Sequence, residues 1–259
     1  MAIEPGQLPE LLPAWTFAFL LVVCRVGAAL MLLPGLGEQE IPAQVKIGLT
    51  LALAALLWPV LAPALPAPPA APARAVVLVA GECAVGLWIG MLARLVALAL
   101  PMAAQFLGFL LGLSNAMLFD PSFGASGTAL ARMVGLGGVV VLFATGLHML
   151  PIAALAGSYA VLPAGGAFPA DAAAEAVVIA VAASFALAFQ LAGPFVLAGV
   201  VFQLTLGLLS RLVPQMQVFF VALPLQVAGG LALLAVLIAG MLSVWTAAAS
   251  AVLGGLPGL

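Results

Sequence analysis

Long apolar runs separated by short stretches rich in Pro, Gly and charge make up nearly the whole chain. The runs lie at about residues 12–33, 45–61, 75–100, 133–150, 176–209 and 219–253. As helices they have the length to cross most or all of a hydrocarbon layer ~30 Å thick. Barrel strands would alternate apolar and polar residues at period two, and these runs do not. The pattern predicts an all-α, multi-span integral membrane protein of long broken helices and helical hairpins, forming a single membrane domain over residues 1–259. Residues 33–42 are expected as a connection broken by Pro34, Gly35, Gly37 and Pro42. Residues 62–73, with Pro63, Pro66, Pro68, Pro69 and Pro72, are expected as a stiff, extended linker. A Gly/Ser loop is expected at 122–128 and a second Pro/Gly connection at 162–169, with Asp171 and Glu175 favouring the start of the helix that follows.

Polar residues inside or between the runs carry the functional information. Ser210, Arg211, Gln215 and Gln217 form a polar island between two apolar runs. Pro214 has no N–H and disfavours helix at Val213, so this island reads as the tip of a helical hairpin. Residues 105–121 are apolar, yet they contain Gln105, Ser114, Asn115, Gly108 and Gly112 beside bulky Phe109, Met117 and Phe119, and they end at Asp120-Pro121. This segment reads either as an ordinary GxxxG helix ending at a turn or as a re-entrant, pore-lining segment, because irregular backbone at membrane depth must be buried in protein or line a cavity.

Charges inside spans need partners. The first run contains Arg25, and the third contains Glu82 and Arg94. On one helix Glu82 and Arg94 would stand roughly 18 Å apart along the axis and about 120° apart around it, too far to pair. Arg25 is the candidate partner for Glu82, and Arg94 is expected to snorkel to an interface. Gly86 and Gly90 share a helix face and form a small-xxx-small surface for close helix contact.

Composition narrows the class further. Hydrophobic residues make up 66% of the chain and charged residues 5%, against about 25% charged in soluble domains. With a net charge of −2 and no basic cluster, no nucleic-acid binding is expected. Glu4 and Glu10 precede the first run where a cleaved signal would carry basic residues, so that run reads as a retained span. Basic residues lie mostly near the connections after the first, third and fifth spans, which favours that side as cytoplasmic. Cys24 and Cys83 sit inside apolar runs and read as small buried hydrophobes, and His148, the only histidine, as a structural residue. There is no HExxH, GxSxG, CxxC, P-loop or helix-opening GxGxxG. No catalytic, cofactor-binding or metal-ligating residue is assigned, and an enzyme is not expected. Channel or transporter chemistry around the Gln- and Pro-containing fifth run is the alternative class.

Several stretches resemble the FliR family of flagellar type III export-gate proteins and their virulence-system counterparts. Arg25 followed by Pro34, Gly37, Ile41-Pro42 and Lys46 is similar to the family's first hairpin, and Glu82, Gly86 and Gly90 to its third span. Gly108, Gly112-Leu113-Ser114 and Phe119-Asp120-Pro121 resemble the family's plug, and Gly146-Leu147-His148 the pattern after it. The most specific match is the run from Gly207 to Phe219, through Ser210, Arg211, Pro214 and Gln215, with Pro224-Leu225 beyond. Asn115, the Pro/Ala linker and the short, uncharged C-terminus depart from the family pattern.

The resemblance implies a subunit of a helical export-gate assembly in the bacterial inner membrane, at the flagellar basal body, with FliP-like and FliQ-like subunits and an FlhB-like switch protein as partners. It implies a FliP-like portion over residues 1–165 and a FliQ-like hairpin over 166–259. It further implies a gated conduit for unfolded flagellar subunits, in which Gly108, Phe109, Gly112, Leu113, Ser114, Met117, Phe119, Asp120 and Pro121 help close the pore. Ser210, Arg211, Pro214, Gln215 and Phe219 would lie at the cytoplasmic entrance, and Arg25, Glu82, Gly86 and Gly90 would pack between helices or subunits.

Overall fold

The structure, a computed structural model, describes residues 8–111, 126–212 and 218–259. Among the described residues there is no strand, and the chain order is α1 (Leu8–Leu30), α2 (Ala43–Leu61), α3 (Pro72–Leu110), α4 (Ser126–Ala144), α5 (Met149–Val161), α6 (Ala170–Leu212) and α7 (Val218–Gly254). Among the described residues five stretches are long and apolar enough to cross a membrane: Leu12–Leu30, Ala43–Ala64, Pro72–Leu110, Ala170–Leu212 and Ala222–Gly254. The pair Ala129–Ala144 and Met149–Val161 passes the same test as one broken span. The chain is an all-α, multi-span membrane protein.

Helix lengths follow local chemistry that hydropathy does not register. The third apolar run does not stop before Pro101: α3 carries the proline inside one helix of 39 residues. The fourth run is broken, because Gly146 takes φ 74°, the left-handed region that a side chain disfavours. The Pro/Ala linker forms a short 3-10 turn, Ala62–Ala64, and then turns extended at Leu65 (φ −84°, ψ 143°). Asp171 stands in the first turn of α6 and Arg211 in its last, each beside the helix end whose dipole it complements.

The described residues fall into two compact units whose boundaries cut through helices. The first comprises the chain up to Leu95, Phe143–Ala180 and Ala251–Leu259. Its core holds Leu21, Val22, Val26, Ile89 and Leu155. Inside it the C-terminal residues lie on α5: a Cβ on Gly157 would overlap the Gly258 carbonyl oxygen, and Gly258 itself takes φ 105°. The second unit comprises Val96–Leu142 and Val181–Ser250, with Leu100, Leu107, Leu142, Phe195 and Trp245 buried at its core.

Candidate functional site

The best-defined polar constellation lies in the first unit and is built by the contact between α1 and α3. At Gly86 an added Cβ would overlap the Arg25 carbonyl oxygen and stand 3.0 Å from the Ala28 Cβ. At Gly90 it would stand 2.7 Å from the Ala29 carbonyl oxygen and 3.0 Å from the Leu32 Cβ. Two glycines one turn apart thus let the α1 backbone lie on α3 with no side chain between them. Higher numbers on α3 meet higher numbers on α1, so the two helices run parallel here. One turn before Gly86 this register brings Glu82 beside Arg25.

Arg25 and Glu82 are 1% and 2% exposed, so neither charge meets solvent. Arg25 Nε donates to Glu82 Oε2 at 2.7 Å, and Nη2 donates to Oε1 at 3.1 Å, the two-pronged geometry that a guanidinium and a carboxylate share. Nη1 donates to Ser158 Oγ at 3.1 Å, and Nη2 also donates to the Leu162 carbonyl at 3.0 Å. The Ser158 hydroxyl in turn donates to the Leu155 carbonyl at 2.7 Å. The Tyr159 ring covers the guanidinium, its centroid 3.9 Å from the Arg25 Cζ. A buried ion pair is tolerable only when its desolvation is offset by such a set of bonds, and four of the guanidinium's five N–H groups are bonded here. A cavity of about 220 Å³ borders the pair, lined by Gly81, Val85, Leu162, Gly165 and Gly166 among others.

A second pair ties the first hairpin loop to α3. Arg94 Nη1 and Nη2 donate to Glu38 Oε1 and Oε2 at 2.5 and 3.0 Å, and the Gly35 N–H donates to Oε1 at 3.3 Å. Arg94, expected to snorkel, is 28% exposed and is bound by a loop carboxylate. Lys46 closes the same loop by donating to the Gly37 carbonyl at 3.1 Å. Gly37 is needed there, since a Cβ would overlap the Met31 carbonyl oxygen. Burial pushes the Glu38 carboxyl upward, but the bonds from Arg94 and Gly35 and the charges of Arg94 and Lys46 outweigh it and hold it below the ordinary carboxylate range.

The segment expected to close the pore is only partly within the described residues. Gly108 and Phe109 belong to the last turns of α3, with Gly108 buried and Phe109 73% exposed. Gly112, Leu113, Ser114, Met117, Phe119, Asp120 and Pro121 lie outside the described residues. Ser210 and Arg211 end α6, both exposed, and Ser210 Oγ donates to the Gly207 carbonyl at 2.9 Å. Pro214 and Gln215 also lie outside the described residues, while Phe219 is in the first turn of α7.

Sequence reasoning missed Ser158, Tyr159 and Glu38. Tyr159 had a signal, as the chain's only tyrosine, three residues from the Leu162 break. His148 stacks on Phe143 with ring centroids 4.5 Å apart. Among the described residues no group of three or more His, Cys, Asp or Glu comes together as a metal site would require.

Comparison with known proteins places this architecture. Residues 16–252 match the family described as bacterial export proteins, family 1. The flagellar biosynthetic protein FliR of Caulobacter vibrioides is 39% identical over 226 residues, covering 87% of this chain and 90% of the relative. The FliR proteins of Bacillus subtilis and Escherichia coli are 29% and 28% identical, covering 82% and 86% of this chain and 82% and 85% of the relatives. Arg25, Glu82, the glycine face and the polar tip at Arg211 all fall inside the matched span, and the chain belongs to the FliR family of bacterial export proteins.

Proposed function

We infer that the chain is a non-enzymatic subunit of the flagellar protein-export apparatus in the bacterial inner membrane, and that it forms part of the conduit wall for unfolded flagellar proteins. The observation that carries this reading is the family match over residues 16–252 on a chain of long apolar helices. The relatives named above are all flagellar biosynthetic proteins, which favours flagellar over injectisome use.

Physical support comes from helix length and bareness. Helices α3, α6 and α7 have 39, 43 and 37 residues, so each would measure roughly 55–65 Å, against a hydrocarbon layer of ~30 Å. Only 11% of the most apolar window of α7 and 22% of that of α6 is buried. Apolar faces that outrun the lipid need protein to cover them. FliP-like and FliQ-like subunits are the proposed cover, with residues 1–165 as a FliP-like portion and 166–259 as a FliQ-like hairpin. Residues 105–121 are proposed as the pore-closing segment and residues 210–219 as a cytoplasmic contact for FliQ-like loops and an FlhB-like switch protein.

Three experiments test this. The chain should restore swimming motility to a strain lacking its FliR relative, and affinity purification should bring FliP- and FliQ-like proteins with it. Purification as a lone protein from motile, complemented cells would sink the partner assignment. Deleting residues 108–117 should make membranes carrying an assembled gate leaky to small solutes.

A further inference from the structure

Two thiols flank the buried ion pair. Cys24 precedes Arg25 on α1, and Cys83 follows Glu82 on α3. The helix contact fixes their level. Ala28, which faces Gly86, lies one turn beyond Cys24 on the same face of α1, and Gly86 lies about one turn beyond Cys83 on α3. With α1 and α3 parallel in this register, the two cysteines stand opposite each other, and their thiols interact directly. The glycines also set the spacing. Helix axes ordinarily pack about 8–10 Å apart, but here the Arg25 carbonyl occupies the place that a Gly86 Cβ would take. The two backbones touch, and a disulfide needs Cβ atoms only roughly 3.5–4.5 Å apart.

Both thiols are free and half-buried. Leu20, one turn from Cys24, and Leu87, one turn from Cys83, are exposed, so the flank of the contact is apolar and open to a small lipid-soluble reagent. Among the described residues no group of three or more His, Cys, Asp or Glu could hold a metal, which leaves thiol–disulfide exchange as the chemistry of the pair. We propose that Cys24 and Cys83 are a redox modification site, which a small membrane-soluble disulfide converts into a covalent tie between α1 and α3. One thiol gives up its proton and attacks the reagent, forming a mixed disulfide and expelling one small thiol, which takes the proton. The other then loses its proton and attacks the sulfur already attached to the protein, expelling the second small thiol. One S–S bond breaks in the reagent and one forms in the protein, which gives up two electrons and two protons. The tie secures the first hairpin at the level that Arg25 and Glu82 otherwise hold alone by charge.

The test uses the full-length chain purified with its partner subunits, and dipyridyl disulfide as the probe. Wild type should release two equivalents of thiopyridone and keep no pyridyl group, and its digest should contain the Cys24 and Cys83 peptides joined until a thiol reductant parts them. Cys83→Ser should release one equivalent and keep a pyridyl group on Cys24. A second measurement asks what the tie does. Arg25→Lys, weakened at the ion pair, should melt several degrees higher oxidised than reduced, and Arg25→Lys with Cys83→Ser should show no such gain. Acid-quenched cells exposed to the same probe should yield the joined peptides, and a reductant chase should remove them. Pyridyl groups kept on both cysteines of wild type, thiols that do not react, or joined peptides that appear in detergent but never in cells overturn the site. Equal melting of oxidised and reduced Arg25→Lys overturns the tie between the helices.

Discussion

Removing the Glu82 carboxylate would leave the Arg25 guanidinium buried with no counter-charge, and breaking such a pair from one side costs about 3–5 kcal/mol. Glu82→Ala and Arg25→Ala should therefore each lower the steady-state level of assembled protein sharply, as read by blue-native gels. Arg25→Lys should fall between them and wild type, since an ammonium keeps the charge but not the fork that also reaches Ser158 and Leu162. Equal levels for Arg25→Lys and Arg25→Ala would mean that geometry alone, not charge, is what α1 needs. Glu38 gives a pH signature. Its folded pKa lies below the ordinary 4.5, so its stabilising contribution is present above that value and is lost as pH falls through the folded pKa. In detergent, wild type should melt above Glu38→Gln at neutral pH, and the gap should shrink below about pH 4.5; a constant gap would remove the ion pair as its cause. Pairing of Arg25 with Glu82 could be read from the sequence because Glu82 is the acid placed well inside an apolar run, and a charge there requires its opposite. Arg94 could not be assigned that way, because its partner Glu38 lies in a loop outside the apolar runs, where a carboxylate does not require a counter-charge.

At the scale of elements, the α1–α3 contact divides the glycines into two kinds. Gly86 and Gly90 meet the α1 backbone, whereas Gly48 and Gly81 have open space where a Cβ would go. Gly86→Leu should separate the helices and abolish complementation of motility. Gly81→Ala should be neutral or stabilising by roughly 0.5–1 kcal/mol, the cost of a glycine within a helix; equal damage from both would mean that α3 does not tolerate any change of helix propensity. A small-xxx-small face is visible in the sequence, but not whether a helix lies on it. The prolines were less legible still. Pro101 reads as a break because it removes a donor and crowds the preceding turn, yet α3 continues through it. In the turn before the proline, the Val96 carbonyl accepts from Trp245 Nε1 at 3.0 Å, and Ala99, Leu100, Ala103 and Ala104 are fully buried around it. The helix is maintained by packing from elements far along the chain, which local propensity does not contain. Gly146 shows the reverse, since a single left-handed glycine interrupts an apolar run that hydropathy alone would leave whole.

For the whole molecule, the question is what covers its apolar faces. Fold class was legible because no soluble surface can be made from a chain with 5% charged residues. The runs at 176–209 and 219–253 foreshadowed α6 and α7 through their prolines, but the length of α3 was hidden by Pro101, and the exposure of the helices is something a sequence does not show. Val236 on α7 is 77% exposed and Leu197 on α6 is 68% exposed, and the two possible coverings make different predictions for a charge placed there. An acidic residue at a helix centre costs about 2.5–3.5 kcal/mol on insertion into lipid. A window of mean hydropathy 2.4, as in α7, should still insert. Burial of the same carboxylate against a partner subunit leaves it with no counter-charge in a packed interface, a heavier and less forgiving loss. Val236→Glu should therefore remain in the membrane fraction after alkaline extraction but lose its FliP- and FliQ-like partners on purification, and motility with them. If the partners stay bound while membrane retention falls, α7 faces lipid at that level, and the cover proposed for the long helices must be sought on α6 instead, with Leu197→Glu as the next variant.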